Sequence, residues 1–318
     1  MKAGEGCDLP RGGLLPTMLP DVFEEDFKPL NKPASWSIGK MTEWLANPTG
    51  SDFSLCIDSK SDNKEDKETG DQDLKNPKKN KCKSDFLEAP EKDERVHTAI
   101  NRDTGAAWVE EGLLFMSVGL DLSSTEMGGG ISLVTRIKAN STFENKLSNL
   151  DEIHPFGGER RLAEWIRTEE PPGWSCPAEI SSKLEKLDSG KIRMVLATPA
   201  IFSKGWLPGW LEFNQLEDGS EVLEGIPPEA SVSQKLRLIS ACVDRWRPIS
   251  GWSTEAKSQG AKAIRRMVPA GSVYFFEIQN GKGDEASALA ESHWLESVCD
   301  LPEDRKDGFG LAVWGTWE

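Results

Sequence analysis

The sequence has few of the residues on which acid–base or metal chemistry depends. Its 318 residues include three histidines and six cysteines. No two cysteines lie within four residues of each other, so the chain has no zinc knuckle and no paired redox thiols. The motifs G-x-S-x-G, H-E-x-x-H and G-x-x-x-x-G-K-[ST] do not occur. We therefore predict no catalytic residue, no bound metal and no cofactor.

Long apolar runs and an overall basic charge are missing as well. No segment approaches the roughly 20 apolar residues of a membrane helix, and the opening "MKAGEGCDLPRGG" lacks the apolar core of a signal peptide. We therefore expect a cytoplasmic protein with no membrane partner. The net charge is −15, so any attraction to nucleic acid must come from a local basic surface.

Along the rest of the sequence, strand patterns outnumber helical patterns. Apolar and polar residues alternate over 130–139, 191–199, 235–243 and 271–278, which predicts strands. Helical spacing is found over 181–190 and 284–300. Because helices and strands do not alternate regularly, the pattern favours an α+β fold of antiparallel sheets covered on one face by helices. Residues 56–85 hold almost no apolar residue, and we interpret them as a disordered charged insertion.

The clearest local basic excess lies between Lys235 and Arg266, which enclose eight basic and two acidic residues, a net charge of +6. Two tryptophans stand among these charges. Such a loop beside a sheet suits single-stranded RNA, because bases stack on rings while phosphates pair with guanidinium groups. The alternative is a solvated basic loop with two core tryptophans. The candidate RNA contacts in this segment are Arg245, Arg247, Trp252, Lys262, Arg265 and Arg266.

A second basic turn is "HPFGGERRLAEW", residues 154–165. Gly157 and Gly158 permit positive φ or a close backbone approach, and Arg160 and Arg161 follow directly. One of two adjacent arginines on a strand must point away from the core. These four residues are further candidates for RNA contact, and a plain glycine hairpin with surface charges is the alternative.

His154, at the start of this turn, is the one candidate for ribonuclease-type proton transfer. His97 and His293 have no potential metal ligand four residues further on, and we interpret them as structural residues.

The chain closes on "RKDGFGLAVWGTWE", residues 305–318, with three glycines and two tryptophans. Two interpretations are open. This stretch is either a buried C-terminal strand fed by a tight turn, or a place where glycines bring the backbone close to RNA or a phosphate.

Several of these segments resemble one protein family. The segments "HPFGGERRLAEW", "VLATPAIFSKGW", "DRWRPISGW", "RRMVPAGSVYFFEI" and "GFGLAVWGTWE" have the order and spacing found in the third subunit of the Cmr complex. That complex is the type III-B CRISPR effector, and the subunit belongs to the RAMP superfamily. "NRDTGAAWVEEGLLFMSVGLDL" and "PASWSIGKMTEWL" are similar more loosely. The resemblance covers roughly residues 9–55 and 94–318.

The resemblance implies RRM-like, ferredoxin-like domains of the RAMP type. We expect a partial N-terminal domain over residues 1–125, which contains the charged insertion 56–85, and a C-terminal domain over residues 126–318. Family members usually begin with a strand and an arginine-bearing motif, so we expect the N-terminal unit to be incomplete here. The terminal glycine loop marks the superfamily, which adds Gly308, Phe309 and Gly310 to the candidate RNA contacts.

The resemblance also implies a non-catalytic subunit that binds the guide (CRISPR) RNA and caps its 5′ repeat-derived handle in antiviral defence. Its partners would be that RNA, the large polymerase-like subunit and a backbone subunit of the effector. Two alternatives stay open. One is a guide-processing endoribonuclease of the same superfamily that uses His154, and the other is a structural adaptor that does not contact RNA.

Overall fold

The structure is a computed structural model in which the chain divides into two compact units. Unit 1 comprises Met1–Pro29, Ser37–Asp85 and Pro172–Glu318, and unit 2 comprises Leu30–Trp36 and Phe86–Pro171. The residues that the structure describes are 13–15, 17, 35–48, 86–87, 91–107, 114–121, 132–138, 152–157, 161–168, 171–187, 189–230, 235–253, 255, 257–279 and 281–317. The insertion 56–85 lies outside them, and the predicted domain boundary after residue 125 stays a prediction.

Strands dominate the described residues, and helices are few. The strands are β1 (Ser35–Trp36), β2 (Phe86–Leu87), β3 (Glu91–Thr98), β4 (Leu114–Asp121), β5 (Ile153–Pro155), β6 (Leu162–Glu164), β7 (Lys191–Leu196), β8 (Leu211–Gln215), β9 (Glu221–Gly225), β10 (Leu236–Cys242), β11 (Arg247–Ile249), β12 (Trp252–Ser253), β13 (Gly260–Ala261), β14 (Arg265–Met267), β15 (Val273–Ile278), β16 (Glu296–Ser297) and β17 (Leu311–Gly315). The helices are α1 (Ile38–Ala46), α2 (Ala178–Glu185), α3 (Gly283–Ser292) and α4 (Pro302–Lys306). The predicted mixed α and β composition is confirmed.

Unit 1 is built on a seven-stranded sheet in the order β16-β17-β7-β15-β10-β9-β8. Every neighbouring pair is antiparallel. The strands predicted over 191–199, 235–243 and 271–278 are confirmed as β7, β10 and β15. One face is closely packed, since Met194 lies opposite both Tyr274 and Trp314 and all three side chains are fully buried. Burial of this face removes apolar surface from water and so stabilises unit 1.

Helix α3 is shorter than the pattern over 284–300 predicts. It ends at Ser292 with His293 as its C-cap, and Leu295 then adopts a positive φ of 52°. This turn sends the chain back as β16, which pairs with β17. The apolar residues that continue the helical spacing, Trp294 and Val298, are nevertheless buried. Burial alone therefore does not distinguish a longer helix from a helix followed by a strand.

The C-terminal stretch forms β17, so the interpretation as a buried final strand is confirmed. Trp314 is fully buried, and its indole Nε1 donates to the carbonyl of His293 at 3.0 Å. Beside this strand, the amide of Thr316 donates to the carbonyl of Leu45 at 2.8 Å, which attaches the C-terminal end of α1 to the end of β17.

Unit 2 contains two-stranded ribbons, β1–β2, β3–β4 and β5–β6. The strand predicted over 130–139 is wrong for its described part, because residues 132–138 have no regular secondary structure and are exposed. A segment with alternating apolar and polar residues forms a strand only where another strand pairs with its backbone. None of the ladders among the described residues includes this segment.

Candidate nucleic-acid interface

The predicted basic loop is an antiparallel ribbon, which we call the arm (residues 245–267). It connects β10 to β15, two strands that are themselves neighbours in the sheet. Strand β11 pairs with β14, and further out β12 pairs with β13. The arm therefore extends the β10–β15 hairpin beyond the sheet, and its side chains project from two opposite faces.

The adjacent arginines of β14 lie on opposite faces of the arm. Arg265 is opposite Ile249, whereas Arg266 is opposite Pro248. Because successive side chains in a strand point to opposite faces, the two guanidinium groups have different surroundings.

Arg265 takes part in an internal ion pair. Its Nη1 donates to both carboxylate oxygens of Asp304, at 2.7 and 2.9 Å. The Asp304 residue is only 1% exposed, whereas the Arg265 side chain is 39% exposed. A carboxylate so fully removed from water needs a hydrogen-bonded cation to offset the loss of hydration. The ion pair therefore attaches the arm to α4.

Arg266 lies on the other face, with its guanidinium carbon 4.8 Å from the centroid of the Trp246 ring. Both side chains line a cleft of about 730 Å³. The remaining lining residues come from the arm and the residue after it, from β10 and the two residues after it, from the 204–206 turn and from an N-terminal segment. They are Leu14, Leu15, Thr17, Lys204, Gly205, Trp206, Ser240, Ala241, Val243, Asp244, Arg245, Met267 and Val268. The cleft combines apolar walls and two indoles with two arginines of the arm.

The remaining candidates on the arm are exposed. Arg247 is on β11 opposite Met267, and Trp252 on β12 is 65% exposed. The Lys262 side chain is exposed, while its amide donates to the carbonyl of Gly251 at 2.7 Å. These side chains are accessible for binding, but they do not line the cleft.

The terminal glycine turn joins the arm through α4. The Phe309 amide donates to the carbonyl of Asp304 at 3.1 Å, the residue that pairs with Arg265. The amides of Gly308 and Gly310 also donate within the chain, to the carbonyls of Arg305 and Pro199. A contact of this turn with RNA must therefore use the Phe309 ring or the open side of Gly308 rather than a free amide.

The two glycines of the turn have different surroundings. Gly308 has a φ of +79°, and a Cβ atom there would meet no heavy atom within 4 Å. Gly310 has a φ of +70°, and a Cβ atom there would lie 2.6 Å from the sulfur of Cys299. Among the described residues, the backbone of Gly310 therefore lies close to Cys299 of the same chain.

The second predicted group lies in unit 2, on the hairpin of β5 and β6. Gly157 has a φ of +78°, as expected for a glycine turn. Arg161 Nη2 lies 3.3 Å from the carboxylate of Asp93 on β3. The hydrogen bond from Arg95, together with the charges of Arg95 and Arg161, holds the pKa of Asp93 below its ordinary value. Arg161 thus has an internal partner, and Gly158 and Arg160 lie outside the described residues.

His154 lies on β5, opposite Ala163. Its Nε2 is 4.0 Å from a carboxylate oxygen of Glu152. Within the described segments, no three or more His, Cys, Asp or Glu residues are grouped so that they could hold a metal ion.

A model of the family described as CRISPR-associated protein (Cas_Cmr3) matches residues 9–317. The chain belongs to this family. It is therefore a subunit of the multisubunit Cmr complex of type III-B CRISPR systems, and the resemblance stated from the sequence is confirmed. A search of curated proteins finds no match. Among the described helices of this Cmr subunit, none is both long enough and apolar enough to cross a membrane.

The match includes the whole arm, the terminal turn and the β5–β6 hairpin. Sequence reasoning missed two features of this region in the Cmr subunit. One is the role of Asp304, because 39 residues separate it from Arg265. The other is the cleft, whose walls come from segments distant in sequence. The alternation of side chains along a strand, applied to Arg265 and Arg266, would have placed these two arginines on different faces.

Proposed function

We propose that this Cmr subunit binds the guide RNA without cutting it and caps its 5′ repeat-derived handle. The observation that carries the proposal is the face of the arm that bears Arg266, whose guanidinium lies over the Trp246 ring at the edge of the cleft. Guanidinium groups pair with phosphates and indoles stack with bases, so this face presents both chemistries that single-stranded RNA requires. Family membership supplies the complex in which the binding takes place.

The fold proposed for unit 1 is a modified ferredoxin-like unit of the RAMP type. Counted along the chain as strands 1 to 4, β7, β10, β15 and β17 lie in the antiparallel order 4-1-3-2. A ferredoxin-like β-α-β-β-α-β unit has the same order. Helix α3 connects the third and fourth strands, as in that unit, whereas the β8–β9 hairpin lies between the first and second strands in place of a helix.

The charge distribution supports local attraction to RNA. The whole chain carries −15, but residues 235–266 carry +6. Because charges are screened beyond about 8 Å at physiological salt, a phosphate at the arm experiences mainly the charges of the arm. Phosphate binding also releases counterions, which makes RNA retention dependent on salt.

The proposed partners are the guide RNA, the large polymerase-like subunit and a backbone subunit of the effector, in the cytoplasm. An adaptor that touches only protein has one observation in its favour. Alternate residues of β4 expose apolar side chains, with Leu114, Met116, Val118 and Leu120 each more than half exposed. A row of this kind suits a protein interface. A protein interface at this row is compatible with RNA binding by the arm, because the row belongs to unit 2 and the arm to unit 1.

The test is co-expression of the chain with the other Cmr subunits and a guide array, followed by purification through this chain and sequencing of RNA 5′ ends. The informative variant combines Arg245→Glu and Arg266→Glu, because Arg265 holds Asp304 and its reversal would damage the fold. A matched control combines Arg102→Glu and Lys186→Glu, which changes the charge equally at exposed positions outside the arm.

We expect a uniform 5′ handle with the wild type and the control, and loss of RNA with the arm variant while protein partners are kept. Equal RNA retention by the arm variant would favour the adaptor. Loss of specific 5′ ends in His154→Ala would favour the endoribonuclease.

A further inference from the structure

The cleft at the base of the arm has walls that hydrogen bonds of the fold hold in place. On one side, the Leu15 amide donates to the carbonyl of Ile239 at 2.9 Å, and the Ser240 hydroxyl donates to the carbonyl of Leu15 at 2.6 Å. On another side, the Tyr274 hydroxyl donates to the carbonyl of Trp206 at 2.6 Å. A ligand that enters the cleft therefore meets walls that are already ordered, which lowers the entropic cost of binding.

The arm side of the cleft is fixed in the same way. Val268 and Ala200 exchange two backbone hydrogen bonds, at 2.9 and 2.8 Å. This bridge fixes the position at which β14 leaves the arm, and it places Met267 beside the cleft.

The charged groups at the cleft favour an anion. Arg245 and Arg266 line it, and Asp244 is the one carboxylate among its described lining residues. A carboxylate oxygen of Asp244 accepts a hydrogen bond from the Arg245 amide at 2.7 Å. Lys204 also lines the cleft, but its Nζ already donates to the carbonyls of Gly209 and Leu211, at 3.1 and 2.6 Å. The two arginines are therefore the cations available to a ligand.

These features fit a single nucleotide. The volume of about 730 Å³ falls within the range of ligand clefts. The lining offers indole and aliphatic surface for a base, and guanidinium groups for a phosphate. An apolar protein segment would use the apolar walls but would leave the two arginines without an anion.

We propose that this cleft holds one unpaired nucleotide of the guide handle, with its base against Trp246 and its phosphate at Arg245 and Arg266. The inference rests on the proposed function, since it assigns one subsite of the RNA surface. Stacking on Trp246 makes the binding dependent on the presence of a base at one position of the handle. Recognition by stacking tolerates different bases at that position.

The test uses the Cmr complex assembled with synthetic guide RNA in which each handle position in turn is made abasic. Retention is measured in competition with unmodified guide, for the wild type and for Trp246→Ala. Trp246 is 52% exposed, so its truncation should leave the fold intact. Trp246→Phe retains an aromatic ring, and Phe213→Ala removes an exposed aromatic ring on β8, outside the arm.

We expect Trp246→Ala to weaken retention of intact guide by roughly 5- to 150-fold, the effect of one lost base stack. One abasic position should abolish this difference, and Trp246→Phe should restore most of the binding. Phe213→Ala should leave the retention unchanged.

Three outcomes would overturn the inference. Trp246→Ala could leave guide retention unchanged, it could weaken the retention of every abasic guide equally, or it could release a protein subunit from the complex. If the Arg245→Glu and Arg266→Glu variant still loses the guide in those cases, RNA binding by the arm stands and only the nucleotide subsite fails. If that variant keeps the guide, the proposed function fails as well.

Discussion

On one face of the arm, which we call the attached face, Arg265 is held by the buried carboxylate of Asp304. On the other, the open face, Arg266 lies over Trp246 beside the cleft. The two residues are adjacent and have the same side chain. Their difference follows from the alternation of a strand, which directs one guanidinium towards α4 and the other towards solvent. A basic segment therefore combines structural cations with binding cations, and a count of charges cannot separate them.

The largest effect is expected on the attached face. Arg265→Ala leaves the Asp304 carboxylate buried without its cation, so we expect the free energy of unfolding to fall by about 3 kcal/mol. Urea unfolding followed by tryptophan fluorescence measures this. Arg266→Ala, which breaks no such pair, should change the free energy of unfolding by less than about 0.5 kcal/mol.

The double variant Arg265→Ala and Asp304→Ala provides the control for this prediction. It should recover part of the lost stability, because no uncompensated charge stays buried. If Arg265→Ala and Arg266→Ala were equally mild, the structural role of the ion pair would be wrong.

The terminal turn, which is joined to the attached face through Asp304, allows a second comparison. Gly308→Ala and Gly310→Ala both place an alanine at positive φ, which costs about 1–2 kcal/mol. Gly310→Ala additionally forces its Cβ against the sulfur of Cys299, so we expect it to be destabilising by about 1 kcal/mol more. Thermal unfolding of the two variants side by side gives the difference. Equal losses would show that crowding at Gly310 is relieved by a small movement of Cys299.

A smaller effect is expected on the open face. Arg266→Ala should weaken guide retention by about 1 kcal/mol, the typical value of an exposed contact between a cation and a phosphate. Arg266→Lys should recover only part of it, because an ammonium keeps the charge but lacks the flat guanidinium that lies over the Trp246 ring. Competition with labelled guide measures both variants. Full recovery by lysine would mean that charge alone matters at this position.

The smallest effect is expected outside the arm. We expect His154→Ala to leave the 5′ ends and the amount of co-purified guide unchanged, because the proposed function assigns no proton transfer to this residue. Sequencing of the RNA ends measures this, and a shift in their position would contradict a purely binding role.

The central strands of unit 1 could be predicted from the sequence because they are buried and their alternation matches the sheet. Residues 132–138 show the same alternation but belong to no described ladder, since pairing depends on another segment that local pattern does not identify. The helix predicted over 284–300 is too long. Trp294 and Val298 continue the helical spacing and are buried, although they follow the end of α3 at Ser292.

The sequence predicts which segment carries the candidate site, but it does not predict which side chains of that segment form the binding surface. The basic and aromatic residues of 235–266 identified the arm, and the family resemblance indicated the terminal turn. The ion pair with Asp304 and the Trp246 cleft depend on contacts between residues far apart in the chain, and these require the folded structure.

The most direct test of the account is the salt dependence of guide retention in the assembled complex. For single-stranded RNA, each phosphate contact contributes about 0.7 to the slope of log K against log salt concentration. Arg266→Ala should lower the steepness of this slope by about 0.7. The double variant Arg265→Ala and Asp304→Ala, which removes the ion pair without leaving a buried charge, should leave the slope unchanged. If both variants changed the slope equally, or if neither did, the assignment of separate roles to the two faces of the arm would be contradicted.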